Sequence, residues 1–376
     1  MNPHGAAPRP LVLDFGSETT KAGFAGQALP GLLFESVVGR PRYRKVLGLQ
    51  GPEEVVGPAP NQRALYSLTP AVERGELLPA FQPGVLRRIW ADLPLQGFTG
   101  EVFVAEPPFA NTAAKLALAQ GLLQRGGASG LFFGTQAVLS LFGYGKTDGL
   151  VLEVGEGVTQ VAPVFNGYRL SHAVERAQLA GGDVTDYFGR LLQRNGLLVD
   201  GGHDRALYGE MKKALVEALP SAAELEALLG AKDARRTRVY ELPDGETLPL
   251  GHERFEAAEL LFRPEVDGLQ ASSLQELVVG CVRKLDVDLR RYMFKNIHLA
   301  GGATMAVGLP ERLAAELARL VHEKTSLAVI APGVDKTLLA WQGASALCQL
   351  SSFAAQWITP REFDEVGERI FLCKSI

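Results

Sequence analysis

The chain has 376 residues, of which 47% are hydrophobic, and it carries a formal net charge of −4. This length can bury about two or three domain-sized cores, and the small net charge argues against nucleic acid or an anionic membrane as the main partner. No apolar run approaches the roughly 18 residues of a membrane span, and the first residues lack the character of a signal peptide. The three cysteines fit neither a metal spacing nor a disulfide framework. We therefore expect a protein of the reducing cytosol that is not inserted in a membrane.

The first strong pattern is a buried strand that ends on an acid. Residues 11–13 are apolar and run into Asp14, a turn at Gly16 and Ser17, and a second strand that carries Lys21. An acid at the end of a buried strand is costly unless it faces a cleft, an ion or a ligand. The N–H groups of such a turn can cradle phosphate. Taken alone, this stretch fits an ordinary hairpin with a polar tip better.

The elements that follow predict a parallel sheet with helices. The pattern indicates a short helix with Ile89, a strand over 101–105, a helix from Thr112 to about Gln124 and a strand over 131–133. A buried helix then begins near Gln136. Its N-terminus, if aimed at a ligand, would hold phosphate or a polarised water, and a surface cap is the equal alternative for Gln136.

The acid-ended pattern recurs in the middle of the chain. Residues 150–160 align with residues 11–21, with Glu153 over Asp14 and Thr159 over Thr20. A repeat at such a long offset is not a solenoid, whose period is much shorter. It indicates two copies of one α/β unit, whose hairpins with acids at their bases could clamp a phosphate chain and its Mg²⁺ from both sides.

The last part of the chain contains a second glycine-rich candidate site. A strand over 296–300 opens into Gly301 and Gly302, and a helix starts at Pro310. Strand, Gly-Gly and helix is a geometry in which a backbone closely approaches a nucleotide. The other elements predicted after the repeat are a two-residue turn at 166–167, an insertion over 183–251 with a helix over 185–194 and a hairpin around 242–246, a helical stretch over 273–294, a strand over 327–330 and a helix over 341–349.

With these loops together, the sequence resembles actin and the actin-related proteins nearly end to end. The matching segments are 14–17, 21–26, 38–42, 136–141, 157–159, 167–168, 179–187, 240–245, 286–290, 301–305 and 341–345. The resemblance implies an α/β, two-lobed actin-like ATPase fold, shared with chaperones and sugar kinases, with four subdomains around a central nucleotide cleft. The first lobe would span 1–143 plus 340–376, with an outer subdomain over about 35–72 that carries the filament-contact loop (48–54). The second lobe would span 144–339, with an outer subdomain over about 183–263.

The resemblance also implies ATP or ADP with Mg²⁺ (or Ca²⁺) between the lobes. The catalytic residues would be Gln136, Glu153 and Gln160, with Gln136 orienting the attacking water. Asp14 and Glu153 would hold the metal through water. The nucleotide-binding residues would be Asp14, Gly16, Ser17, Glu18, Lys21, Gly155, Glu156, Gly157, Val158, Thr159, Asp183, Lys212, Gly301, Gly302, Ala303, Met305 and Lys336.

Several departures from the actin pattern fall on the chemistry. Glu18 stands where actins have a second glycine; at positive φ it would cost about 1–2 kcal/mol, so its side chain should turn outward or the loop should shift. Glu153 and Glu156 replace two aspartates, and Gln160 replaces a histidine that helps to position the water. Losing such a group typically costs about 10²–10⁴-fold in rate. We therefore predict ATP binding with slow or absent hydrolysis.

Other departures lie around the nucleotide. Gly182 replaces an arginine, Lys212-Lys213 replaces a Lys-Glu pair, and Ala306 replaces a tyrosine, so base discrimination should be relaxed. Arg74 stands where conventional actins carry a modified histidine. The resemblance is therefore to a divergent member of the family.

Two functions remain open from the sequence. The first is a filament-forming cytoskeletal protein of the cytoplasm, with self-association, actin-binding-type partners and a weak ATPase activity that yields ADP and phosphate. The second is a non-filament scaffold subunit of a larger complex, in which ATP is structural. A sugar kinase or chaperone ATPase is disfavoured, because the specific matches are to actins and the fold alone does not decide function.

Overall fold

A computed structural model describes residues 9–42, 54–196, 204–231, 237–242 and 245–376. Residue contacts divide the chain into two units. The first contains the described residues up to Asp148, together with Val164–Arg169 and Thr337–Ile376, and the second contains Gly149–Pro163 and Leu170–Lys336. The sequence-based boundaries fall after residues 143 and 339.

The first unit begins with a mixed sheet. Up to Asp148 its elements are β1 (Leu11–Phe15), β2 (Thr19–Phe24), β3 (Leu32–Glu35), β4 (Val37–Pro41), β5 (Val55–Val56), β6 (Tyr66–Pro70), β7 (Val72–Glu73), β8 (Glu76–Leu77), α1 (Gln82–Asp92), β9 (Glu101–Glu106), α2 (Thr112–Gln120), β10 (Gly130–Thr135) and α3 (Gln136–Gly143). The main sheet has the order β10-β9-β1-β2-β3, with β10, β9 and β1 parallel. Because parallel strands end at the same edge of a sheet, the residues after β1 and β10 lie near each other.

Buried apolar strands account for the core of this unit. All five residues of β1 and all six of β10 are buried, as continuous apolar runs in a covered parallel sheet require. β4, β5 and β6 form a separate three-stranded sheet in the order β5-β4-β6. The predicted filament-contact loop lies outside the described residues except for Glu54, whose carboxylate accepts hydrogen bonds from Arg40.

Another sheet forms from Gly149 onward, and apart from Val164–Arg169 its strands belong to the second unit. From Gly149 onward the elements are β11 (Gly149–Val154), β12 (Thr159–Phe165), β13 (Tyr168–Arg169), β14 (Glu175–Ala177), α4 (Gly181–Arg194), α5 (Asp204–Leu215), α6 (Ala222–Ala231), β15 (Arg238–Glu241), β16 (Thr247–Leu250), α7 (Glu253–Glu259), α8 (Leu274–Arg283), α9 (Val287–Phe294), β17 (Ile297–Ala300), α10 (Leu309–Leu320) and β18 (Val329–Ile330). The strand order is β13-β12-β11-β17-β18, and β14 pairs with the start of β12. β11, β17 and β18 are parallel, so Glu153 and Gly301 lie at one edge of this sheet.

The last elements, α11 (Leu339–Leu347), α12 (Pro360–Val366) and α13 (Ile370–Cys373), return to the first unit. The indole nitrogen of the buried Trp341 donates to the carbonyl of Val12 at 3.2 Å. This bond fixes α11 against β1. None of the helices in the described ranges is long and apolar enough to cross a membrane.

Local chemistry explains where the predicted elements agree with the structure and where they differ from it. The turn at Asn166 and Gly167 is confirmed, with both residues at positive φ (53° and 79°), as a tight two-residue hairpin requires. The stretch predicted to be helical over 273–294 consists of two helices, α8 and α9, because the chain turns at Lys284 and restarts after Asp286. The helix predicted from Thr112 continues past α2 as a short π-helix over Gly121–Arg125.

Candidate functional site

The first set of candidate residues centres on a buried carboxylate. Asp14 is only 2% exposed. It accepts hydrogen bonds from Lys21 Nζ at 3.0 Å and from Gln136 Nε2 at 2.9 Å. Lys21 lies opposite Asp14 in the β1–β2 register, so strand pairing alone creates the ion pair. Gln136 is buried at the start of α3, which excludes the interpretation as a surface cap.

Hydrogen bonds from Ser36 and Gly75 hold the predicted first phosphate loop in place. The N–H of Gly16 donates to Thr19 O at 3.1 Å, and its carbonyl accepts from Ser36 Oγ at 2.6 Å. Ser17 Oγ accepts from the N–H of Gly75 at 3.0 Å, so the Ser17 hydroxyl proton points away from Gly75. The loop is therefore held in a defined shape by residues that the sequence analysis did not single out.

Glu18 does not impose the backbone strain considered from the sequence. Within the described residues, the non-glycine positions with positive φ are Arg74, Phe109 and Asn166. Glu18 is therefore accommodated without the left-handed conformation in which a glycine would be favoured. Its carbonyl accepts from Ser36 N at 2.9 Å, and the residue is half-buried.

The second set contains a matching acid and amide. Gln160 Nε2 donates to Glu153 Oε2 at 2.6 Å, across the neighbouring strands β11 and β12. Gln160 is 1% exposed, and its buried amide oxygen has no hydrogen-bond partner among the described residues. A buried acceptor of this kind is rare in folded proteins and is satisfied when water or a ligand donates to it. The hydroxyl of Thr159, in contrast, donates a hydrogen bond to the carbonyl of Leu179, at 2.6 Å.

The turn between β11 and β12 is closed by a backbone hydrogen bond. The N–H of Gly155 donates to Val158 O at 3.0 Å, and Val158 is buried. Glu156, within this turn, accepts from Lys212 Nζ at 2.8 Å. Asp183 accepts from the N–H of Ala180 at 2.8 Å and so caps the start of α4.

The glycine pair after β17 is placed by a close backbone contact. A Cβ on Gly301 would lie 2.4 Å from Val154 O, and Gly301 has φ +83°, so only glycine fits here. Its N–H donates to Lys336 O at 3.2 Å. Burial lowers the pKa of the Lys336 side chain, and the nearby Asp335 partly offsets this. Met305 is 48% exposed, and Gly302 and Ala303 are half-buried beside it.

The predicted site residues therefore fall into two sets, one in each unit. Asp14, Gly16, Ser17, Glu18, Lys21 and Gln136 belong to the first set; Glu153, Gly155, Glu156, Gly157, Val158, Thr159, Gln160, Asp183, Lys212, Gly301, Gly302, Ala303, Met305 and Lys336 belong to the second. Ser36, Gly75 and Arg205 also contact these loops. The antiparallel pairing of β2 with β3 places Thr19 opposite Glu35. A prediction of this pairing would have placed the next residue, Ser36, beside the first loop.

The chemistry of the two sets fits a nucleotide with a hydrated cation. Each set has a lysine, which suits phosphate, and a carboxylate, which suits the water shell of Mg²⁺. The buried amide oxygen of Gln160 suits a donor such as water. In the described ranges, no group of three or more His, Cys, Asp or Glu side chains is arranged to hold a metal directly.

Comparison with known proteins gives a consistent assignment. The family model described as Actin matches residues 5–375. An "Actin-like protein" of Neurospora crassa is 34% identical over 367 residues, which cover 95% of this chain and 95% of that protein. The match spans both units and every loop described above, and we conclude that this chain belongs to the actin family.

Proposed function

We propose that this protein binds ATP or ADP with Mg²⁺ or Ca²⁺, hydrolyses ATP slowly, and assembles into cytoskeletal filaments in the cytoplasm. The observation that carries nucleotide binding is the buried Asp14, held by Lys21 and Gln136 at the carboxyl edge of parallel strands. Burying a carboxylate costs free energy unless a cation, a hydrogen-bond donor or a ligand compensates its charge. Ligand sites of open α/β sheets lie at this edge.

Each side chain of this cluster has a distinct task. Lys21 offsets the charge of Asp14 and brings a cation to the phosphate loop. The amide N–H of Gln136 donates to Asp14. Because the amide nitrogen faces that carboxylate, the amide oxygen faces away from it and can accept from a donor such as water. A metal ion bound with ATP would neutralise part of the phosphate charge.

The second set supports slow hydrolysis. Gln160 replaces the histidine of the actin pattern, and an amide neither accepts nor releases a proton near neutral pH. Its nitrogen is committed to Glu153 at 2.6 Å. The pair can orient a water through the Gln160 oxygen, yet only Glu153 can take up a proton. The proposed function therefore includes only a weak ATPase activity.

Filament assembly is tested by high-speed sedimentation of the purified protein in Mg-ATP and in EDTA, with electron microscopy of the pellet. The proposal expects ordered filaments in Mg-ATP and their absence in EDTA. Mg-ADP serves as the control for a nucleotide effect that does not depend on the terminal phosphate. A protein that stays monomeric at high concentration in Mg-ATP contradicts assembly.

The alternative is a scaffold subunit of a multiprotein complex in which ATP is structural. The Gln160–Glu153 pair favours it, because a protein that does not cycle its nucleotide has no need of a histidine there. In that case Mg-ATP would stabilise the fold by linkage without inducing self-association. Actin-binding-type proteins would remain candidate partners for either function, and we propose no nucleic-acid partner and no membrane insertion.

A further inference from the structure

One carboxylate of the second phosphate loop is held by two cations from a single helix. Glu156 Oε2 accepts from Lys212 Nζ at 2.8 Å, and Glu156 Oε1 lies 3.7 Å from Arg205 Nη2. Arg205 and Lys212 are seven residues apart on α5, which is about two helical turns, so they lie on the same face. The helix α5 therefore contacts the loop at two points.

Two glycines make this contact possible. A Cβ on Gly182 would lie 3.0 Å from Arg205 Nη2 and 2.9 Å from the carbonyl oxygen of Glu156. A Cβ on Gly181 would lie 2.9 Å from Glu156 Oε2. The actin pattern has an arginine at position 182, so its absence here makes room for a guanidinium that comes from α5 instead.

The two cations differ in their surroundings. The Lys212 side chain is 12% exposed and also donates to Gly181 O at 2.8 Å. The Arg205 side chain is 61% exposed, and its Nε donates to Asp186 Oδ1 at 2.7 Å. Arg205 thus bridges α4 and the loop from the solvent side.

We propose that Arg205 is a positioning residue for the second phosphate loop, which acts through Glu156 and not by touching the nucleotide. Together with Lys212 it holds the Glu156 carboxylate in place and offsets its charge. A polyphosphate bound at this loop would otherwise meet a carboxylate whose charge only Lys212 offsets. This inference rests on the proposed nucleotide binding. Because Arg205 is largely exposed, its removal should weaken binding by only about threefold.

The test is a double-mutant cycle on the full chain. The dissociation constant for Mg-ATP is measured for the wild type, Arg205→Ala, Glu156→Gln and the double variant. We expect Arg205→Ala to weaken binding about threefold in the wild type and to have no further effect once Glu156 is glutamine. Arg205→Lys should restore most of the affinity. Arg190→Ala is the matched control, since Arg190 is a half-exposed arginine on α4 that pairs with Asp267, and it should leave affinity unchanged.

Two other results of this cycle would overturn the proposal. An equal loss from Arg205→Ala in the Glu156→Gln background would mean that Arg205 contacts the nucleotide directly, and no loss in either background would mean that it does not position the loop; both overturn the proposal. If the wild type does not bind Mg-ATP, the proposed function fails. The contact is then judged by thermal unfolding of the same four proteins, in which non-additive shifts support it and additive shifts refute it.

Discussion

At the scale of single residues, Gln160 has the largest consequence for chemistry. It is buried beside Glu153, and its amide oxygen accepts no hydrogen bond from the part of the chain that the structure describes. An imidazole in this place could exchange a proton with water near neutral pH, and an amide cannot. Under the proposed function, this residue would allow a nucleotide to bind without being hydrolysed rapidly.

We predict that Gln160→His raises the turnover of ATP by about tenfold or more, because proton transfer by a positioned side chain contributes about 10²–10⁴-fold in enzymes. Phosphate release from Mg-ATP under saturating conditions measures the effect. Gln160→Asn, which keeps an amide, is the control and should give no rise. Equal turnover in the histidine variant and the wild type would contradict the prediction.

At the scale of elements, the C-terminal tail is built into the first unit. Ile376 O accepts from the N–H of Thr135 at 2.9 Å, directly before Gln136. Lys374 Nζ donates to both carboxylate oxygens of Glu362, at 2.8 and 3.0 Å, and to Trp357 O at 2.8 Å. The tail thus connects α12 to the end of β10, where a site residue begins α3.

The Lys374–Glu362 contact makes stability depend on acid pH. The hydrogen bond from Lys374, together with the N–H of Thr359, lowers the pKa of Glu362 from 4.5 to about 2. Since the folded pKa is the lower one, the stabilisation is complete above about pH 4.5 and is lost as the pH falls toward 2. The Glu362 side chain is 38% exposed, so solvent keeps the effect small.

We therefore expect the unfolding midpoint of the wild type to exceed that of Glu362→Gln at pH 6, with the difference shrinking between about pH 4.5 and 2. Thermal unfolding at a series of pH values measures this. Glu365→Gln removes a carboxylate from a solvent-exposed pair on the same helix and should show almost no difference at any pH. A constant difference for Glu362→Gln across the range would refute the assignment.

A second contact between elements is buried and strong. Arg312 on α10 and Glu259 on α7 form a bidentate pair at 2.7 and 2.8 Å, with side chains 1% and 4% exposed. Arg312 also donates to the carbonyl of Leu219 at 3.2 Å. The pair joins α7 and α10 within the second unit.

Arg312→Ala should lower the free energy of unfolding by about 3–5 kcal/mol, because it leaves the buried Glu259 charge with only the distant contact to Arg263, at 4.0 Å. Urea unfolding measures the loss. Arg361→Ala breaks an exposed pair with Glu365 and should change stability by less than about 0.5 kcal/mol. Similar losses for the two variants would show that burial of the pair does not matter.

At the scale of the whole molecule, the internal repeat and the two units correspond. β1–β2 with Asp14 belongs to the first unit, and β11–β12 with Glu153, as far as Pro163, belongs to the second. The family match spans both. A ligand held by either set would stabilise the unit that contains it.

We expect Mg-ATP to raise the unfolding midpoint, by an amount that corresponds to about 2.7 kcal/mol at a ligand concentration of 100 times the dissociation constant. EDTA should reduce the shift, and Asp14→Asn should abolish most of it. Asp364→Asn, a change at a surface carboxylate that accepts from Gln124, is the control and should keep the full shift. No shift in the wild type at millimolar Mg-ATP would contradict nucleotide binding.

Much of this architecture could be predicted from the sequence because the signals are local. The acid-ended strands at Asp14 and Glu153, the turn at 166–167 and the glycines at 301–302 each follow from residues next to one another in the chain. The resemblance to actins then assigned these separate segments to one fold. The start of α3 at Gln136 was placed by the apolar spacing of the residues that follow it.

Only the tertiary structure decided which of these side chains meet. Gln136 bonds to Asp14 across β10, β9 and β1, Arg205 reaches Glu156 through the space left at Gly182, and the tail joins β10 at Thr135. A sequence pattern reports the faces of one strand or helix, and it does not report strand order or the packing between distant elements. Contacts of this kind depend on how the sheets and helices assemble, and so they could be read only from the fold.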